Sequence, residues 1–121
     1  MVINLVLIFI SIVLGVLGQI AMKYGSVQVG TINFSQPFTF VISALTNFYT
    51  LLGLGLYFIS SVFWIIVLSR VELSFAYPLI SLGYILVLIV SALLFHEKVL
   101  TIHYAGIVLI IAGVVLITRG R

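Results

Sequence analysis

Apolar residues along this chain fall into four long runs separated by brief polar breaks. The first run covers residues 2–22 and stops at Lys23-Tyr24-Gly25. A cation, an aromatic and a glycine in that order mark a helix ending at a membrane interface. The run is long enough to cross a bilayer and has neither a basic leader nor a small-residue cleavage site. It therefore predicts a first spanning helix rather than a secretory signal. Residues 25–36 carry turn chemistry in Gly25, Gly30, Asn33 and Ser35 and read as a loop. Ser35-Gln36-Pro37 reads as a helix start, with Ser35 as cap and Pro37 in the first turn. Over 37–46, Phe38, Val41, Ile42 and Leu45 share one helical face, and Thr39, Ser43 and Thr46 share the other. That pattern suits a short amphipathic helix lying in the membrane interface, the alternative being a kinked extension of the second span.

The second run predicts a helix over about 48–69, ending at Arg70. The third predicts one over about 74–95, with Pro78 in its first turn, where proline disrupts least. The break Arg70-Val71-Glu72 is short enough to fold these two spans into an antiparallel hairpin. His96-Glu97-Lys98 is the most charged stretch and belongs at a membrane surface. The fourth run predicts a helix over about 102–118, followed by Arg119-Gly120-Arg121. The fold class is accordingly all-α: a polytopic membrane protein with four transmembrane helices, one domain over residues 1–121.

Composition supports this reading. Hydrophobic residues make up 64% of the chain and charged residues 6%, too few for the surface of a water-soluble domain. The net charge of +3 comes from cations scattered singly, which suits membrane edges and excludes a nucleic-acid patch. With no cysteine, disulfides, iron–sulfur clusters and thiol catalysis are excluded. Four spans put both termini on one side, together with Arg70, Arg119 and Arg121, against Lys23 and Lys98 opposite. The positive-inside rule then favours cytoplasmic termini by a narrow margin.

Lipid-facing positions favour Leu, Ile, Val and Phe, so small and polar residues at helical spacing mark the sides turned away from lipid. The first span carries Ser11, Gly15, Gly18, Gln19 and Met22 in one stripe, and the second carries Gly53, Tyr57, Ser60 and Trp64. The third carries Ser74, Tyr77, Ser81, Tyr84 and Ser91. The glycines and serines in these stripes suit close helix packing. The larger hydrogen-bonding groups are poor packing elements that need partners in hydrocarbon, and they point to a shared cavity. The fourth span differs: Gly106 and Gly113, with Ala105 and Ala112 beside them, form a small-residue face for helix packing, including packing across a dimer.

No Asp, Glu, Lys, Arg or His falls near the middle of a span, where ion-coupled transporters keep a coupling group. No phosphate-binding GxxxxGK[ST] loop is present to use ATP. Glu72 and Glu97 fall on opposite membrane faces and make no acid–base pair. His96 and His103 lack a third ligand for a metal. These absences argue against an enzyme and against any cofactor or metal. Asn33-Phe34-Ser35 fits a glycosylation sequon, a pattern short enough to arise by chance.

Gly18-Gln19-Ile20-Ala21-Met22-Lys23, Phe75-Ala76-Tyr77-Pro78-Leu79-Ile80-Ser81-Leu82, His96-Glu97 and the segment from Gly106 to Gly113 together resemble the drug/metabolite transporter superfamily in its four-helix, small-multidrug-resistance-like (EamA-like) form. Within it, the pattern is most similar to the aminoarabinose–phosphoundecaprenol flippase subunits. Small multidrug exporters carry a membrane-embedded glutamate where this chain has Gly15, and a tryptophan where it has Ile80. The resemblance implies movement of a polyisoprenyl-phosphate-linked sugar between leaflets of the inner membrane by a homodimer, or by a heterodimer with a similar four-helix subunit. The three polar stripes would then supply the substrate contacts, from Gln19, Tyr57, Trp64, Tyr77, Ser81 and Tyr84. Lys23 would then meet the lipid phosphate or anchor the helix at the interface, and Glu97 would meet an amino-sugar or end a helix in a solvated loop. Two rival readings stand beside this one. One is a small-molecule or drug exporter of the same superfamily; the other is a non-transporting assembly subunit of a membrane glycosyltransferase.

Overall fold

The structure, a computed structural model, describes residues 2–32 and 34–119. Asn33 of the sequon and Gly120 and Arg121 of the basic tail lie outside these residues. Among the described residues the chain is all-helical: α1 (Val2–Val29), α2 (Pro37–Thr46), α3 (Phe48–Leu68), α4 (Leu73–Leu79), α5 (Ser81–Leu94) and α6 (Thr101–Arg119). Among the described residues four segments are long and apolar enough to cross a membrane: α1, α3, α4 with α5 as Leu73–Leu94, and α6. The chain is a multi-pass membrane protein.

α1 runs to Val29, seven residues past the predicted end at 22, and the chain turns at Gly30, whose φ is +90°. Gly25 is not a helix terminator. It is buried inside the helix, in its last two turns, where a Cβ would lie 2.8 Å from both Asn47 Oδ1 and the Thr50 nitrogen. Its missing side chain lets α1 meet the start of α3. At 1.5 Å rise per residue, α1 is about 42 Å long against a hydrocarbon core of about 30 Å. Lys23 therefore sits about one core thickness from Val2, and α1 is longer than an untilted crossing needs. Tyr24 and Tyr49 meet edge-to-face at 4.5 Å at this level, where amphipathic aromatics are favoured.

α2 starts at Pro37 with Gln36, not Ser35, in the cap position and without a side-chain cap bond. It is separate from α3: Asn47 between them is extended, with ψ 132°. The Asn47 Oδ1 accepts from Tyr49 N at 3.0 Å and Thr50 N at 3.2 Å, capping α3, while its Nδ2 donates to Gln28 Oε1 at 3.1 Å. The apolar face formed by Phe38, Val41, Ile42 and Leu45 is exposed.

The third span is broken. The helix begins at Leu73, so Pro78 is its sixth residue rather than part of the first turn, and α4 stops at Leu79. Proline has no N–H to return to the carbonyl four residues back. The chain answers with tighter three-residue turns: Ile80 N donates to Tyr77 O at 3.0 Å and Gly83 N to Ile80 O at 2.8 Å. α5 then restarts at Ser81.

The best-buried apolar cluster comprises Ile8, Val67, Ala76, Leu79 and Val114, with Trp64, Phe75, Leu82 and Ile110 packed around it. These residues come from the start of α1, the end of α3, α4 and the end of α6, so the core lies at the end of the bundle that holds the 70–72 turn. Arg70 Nε donates to Asn4 Oδ1 at 2.6 Å at the same end. α1 and α3 stay in contact along their length, because Gly18 and Gly53 face each other. A Cβ on Gly53 would lie 2.6 Å from Met22 Cγ, and one on Gly18 would lie 2.8 Å from the Gly53 carbonyl oxygen. Gly106 and Gly113 behave otherwise: a Cβ on either would meet nothing within 4 Å, so the small-residue face of α6 has no helix of this chain seated on it.

Candidate functional site

Above the buried cluster, α5 parts from the α1–α3 pair and leaves a cleft of about 510 Å³. α1 presents Ser11, Gly15 and Gln19 to it, α3 presents Tyr57, Ser60, Ser61 and Trp64, and the broken helix presents Tyr77, Ser81 and Tyr84. The periodicity explains the convergence. On each helix these positions step by three or four residues, which keeps them on one face. Since α1 and α5 run parallel and α3 antiparallel to them, Ser11, Trp64 and Tyr77 lie at the end near the buried cluster. Gln19, Tyr57 and Val87 lie at the far end.

The cleft floor is fixed by a reciprocal bond between α1 and α3. Ser60 Oγ donates to the Ser11 carbonyl at 2.7 Å, and Ser11 Oγ donates to the Ser60 carbonyl at 3.1 Å, with both side chains buried. On the opposite wall, the Ser81 hydroxyl donates to the Pro78 carbonyl across the helix break. Tyr57, Tyr77 and Tyr84 are exposed, their rings edging an open cleft. Among the described residues that line the cleft none is charged, and no buried side-chain polar atom lacks a hydrogen-bond partner.

Six of the residues singled out from the sequence thus meet in one place: Gln19, Tyr57, Trp64, Tyr77, Ser81 and Tyr84. Trp64 also packs on the buried cluster, so it is part wall and part core. Lys23 and Glu97 do not line the cleft. They pair with each other, Nζ to Oε1 at 3.9 Å, both about half exposed. Lys23 is one turn beyond Gln19 on α1, and Glu97 follows α5, so the pair lies past the far end of the cleft. Other stripe residues have structural roles: Met22 packs at Gly53, Ser74 Oγ donates to Glu72 Oε2 at 3.4 Å, and the Ser91 carbonyl accepts from Phe95 N and Glu97 N. Sequence reasoning missed Ile12, Val16, Ser61, Ile80, Gly83 and Val87 as lining residues. Ser61 had a findable signal, a hydroxyl four residues from Tyr57.

Among the described residues no group of three or more His, Cys, Asp or Glu is placed to hold a metal ion. His103 instead closes the start of α6, its Nδ1 accepting from the Leu100 N–H at 3.0 Å, the reach-back of a capping box. His96 takes a left-handed φ of 56°, which turns the chain so that Glu97 N reaches the Ser91 carbonyl at 3.2 Å.

Comparison with known proteins matches residues 34–119 to the EamA-like transporter family. The chain is 31% identical over 83 residues to a protein of Pseudomonas savastanoi pv. phaseolicola described as a probable 4-amino-4-deoxy-L-arabinose-phosphoundecaprenol flippase subunit, ArnE. That alignment covers 69% of this chain and 68% of the relative. An Aeromonas salmonicida protein of the same description is 53% identical over 36 residues, 30% of this chain and 32% of the relative. An Erwinia tasmaniensis protein described as the corresponding ArnF subunit is 37% identical over 82 residues, 64% of this chain and 62% of the relative. No solved structure matches the chain. A four-span helical membrane chain with a polar cleft, matched over most of its length, belongs to the EamA-like transporter family.

Proposed function

We propose that this chain is a flippase subunit that moves a polyisoprenyl-phosphate-linked sugar, an amino-sugar in particular, between the leaflets of the inner membrane. The observation that carries this reading is the uncharged cleft. It offers hydroxyls, an amide and aromatic faces, the groups that hydrogen-bond and stack on a sugar, in a space of about 510 Å³. That volume falls within the range of about 300–1,000 Å³ usual for small-molecule sites. It is enough for a sugar headgroup and too small for a polyisoprenyl tail as well. The open side of the cleft leaves the tail in lipid while the headgroup crosses. The names of the relatives support the same cargo class.

Gln19, Tyr57, Trp64, Tyr77, Ser81 and Tyr84 hold the headgroup in this reading, and the chain acts as a carrier without a chemical step. The subunit works in a dimer, with a second copy or a similar four-helix chain seated against Gly106 and Gly113, and its termini face the cytoplasm.

The test is reconstitution. Purified protein in vesicles carrying a fluorescent short-chain polyprenyl-phosphate amino-sugar is expected to speed exposure of the headgroup to a quencher outside. A headgroup that keeps its leaflet, in vesicles whose protein has been shown dimeric by native mass spectrometry, sinks the reading.

A further inference from the structure

The bundle is not held alike at its two ends. The end with the 70–72 turn is closed by the buried cluster and by the bond from Arg70 to Asn4. At the other end, past Gln19 and Val87, α1 and the α5–α6 loop are joined by the Lys23–Glu97 ion pair. At 3.9 Å that pair makes no hydrogen bond, since charge-assisted bonds close to about 2.7–2.9 Å. It is a weak tie past the far end of the cleft.

The two ends of the tie are mounted differently. Lys23 sits on α1, which is locked to α3 by the Gly18–Gly53 contact, by Gly25 against Asn47 and Thr50, and by the Ser11–Ser60 bonds. Glu97 follows α5, which joins α4 through tighter three-residue turns at Ile80 and packs against α1 near its own start. A Cβ on Gly83 would lie 3.2 Å from Ile12 Cγ2 and 3.3 Å from Val16 Cγ2. The start of α5 is thus held by a close crossing, while its far end is tied to α1 through Glu97.

We propose that the Lys23–Glu97 pair is a cargo-operated tie: an arriving phosphate replaces the Glu97 carboxylate on Lys23, and the freed α5 end swings away to open the mouth. This rests on the flippase reading for its ligand, a phosphate ester on a lipid. Lysine takes phosphate as a point charge, and a phosphate presents more acceptor oxygens at hydrogen-bond distance than the loosely placed carboxylate does. Glu97 thereby holds the far end of the cleft together until an anion of the right class is present.

The chain has no cysteine, so one introduced thiol reports alone. In a Val87→Cys chain in lipid nanodiscs, labelling by a water-soluble maleimide reads how open the mouth is. Glu97→Gln is expected to speed labelling by up to about fivefold, the shift that a half-exposed ion pair is worth. The reversed pair, Lys23→Glu with Glu97→Lys, is expected to restore the parent rate. Undecaprenyl phosphate in the nanodisc should speed labelling of the parent but not of Lys23→Gln, which is already open. Parent-like labelling in Glu97→Gln, or fast labelling in the reversed pair, overturns the tie. If both charge arms hold while the parent ignores undecaprenyl phosphate, phosphate is overturned as the operating ligand. The flippase reading would still be judged by the scrambling assay.

Discussion

Ser60 gives its hydroxyl proton to the carbonyl of Ser11 at 2.7 Å, and Ser11 returns a bond to the carbonyl of Ser60 at 3.1 Å. Two residues 49 positions apart thereby satisfy each other inside an apolar bundle and set the floor of the cleft. Interhelical bonds of this kind average about 0.6 kcal/mol in membranes, with a ceiling near 1.7. Ser11→Ala and Ser60→Ala are each expected to cost an amount in that range, and the 3.4 Å contact between the two hydroxyls makes the double variant cost less than their sum. Unfolding in a graded detergent series measures this cycle. Strict additivity would mean that the two hydroxyls do not act as a unit.

Gly53 and Gly55 lie two residues apart on α3 and offer an internal control. A Cβ on Gly53 would press against Met22 on α1, whereas one on Gly55 meets nothing within 4 Å. Gly53→Ala is expected to destabilise by about 1–3 kcal/mol through overpacking, and Gly55→Ala to be nearly neutral. Equal midpoints for the two variants in detergent unfolding would contradict the close α1–α3 approach.

Tyr77→Phe and Gln19→Leu remove hydrogen-bonding groups from opposite walls of the cleft with little change in volume. Both proteins are expected to insert and assemble as the parent does and to lose headgroup transport. Losing one well-placed bond to cargo is worth about 0.5–1.5 kcal/mol, or up to about tenfold in rate. Undiminished scrambling by both variants would remove these residues from the cargo site.

Gly106→Leu and Gly113→Leu have room within the chain, because nothing lies within 4 Å of either Cβ. The monomer is expected to keep its unfolding midpoint, while native mass spectrometry shows a lowered dimer fraction. A dimer fraction equal to the parent's in both variants would place the subunit contact elsewhere.

The cleft was legible in the sequence because helical periodicity is a local property. Gln19, Tyr57, Trp64, Tyr77, Ser81 and Tyr84 could each be assigned to a face without knowing what the face met. What depends on a neighbour was not legible. Lys23-Tyr24-Gly25 looks like a helix end because the same residues serve at interfaces, yet Gly25 is small to admit Asn47 and Thr50, which lie more than twenty positions away. Pro78 was visible, but its effect hinged on whether the helix began at Leu73, near enough to make it the sixth residue. The Lys23–Glu97 pairing joins residues that topology places on one side, while their mutual distance is a matter of tertiary packing.

The uncharged lining of the cleft has an electrical consequence. Moving one elementary charge across a membrane at 100 mV involves about 2.3 kcal/mol. A carrier whose cleft is lined by no charged side chain among the described residues contributes no gating charge from that cleft as it turns over. The membrane voltage then acts on the loaded step through the net charge of the headgroup. A phosphate balanced by an ammonium crosses almost unopposed by the field, whereas the same phosphate on a neutral sugar is driven or resisted by it.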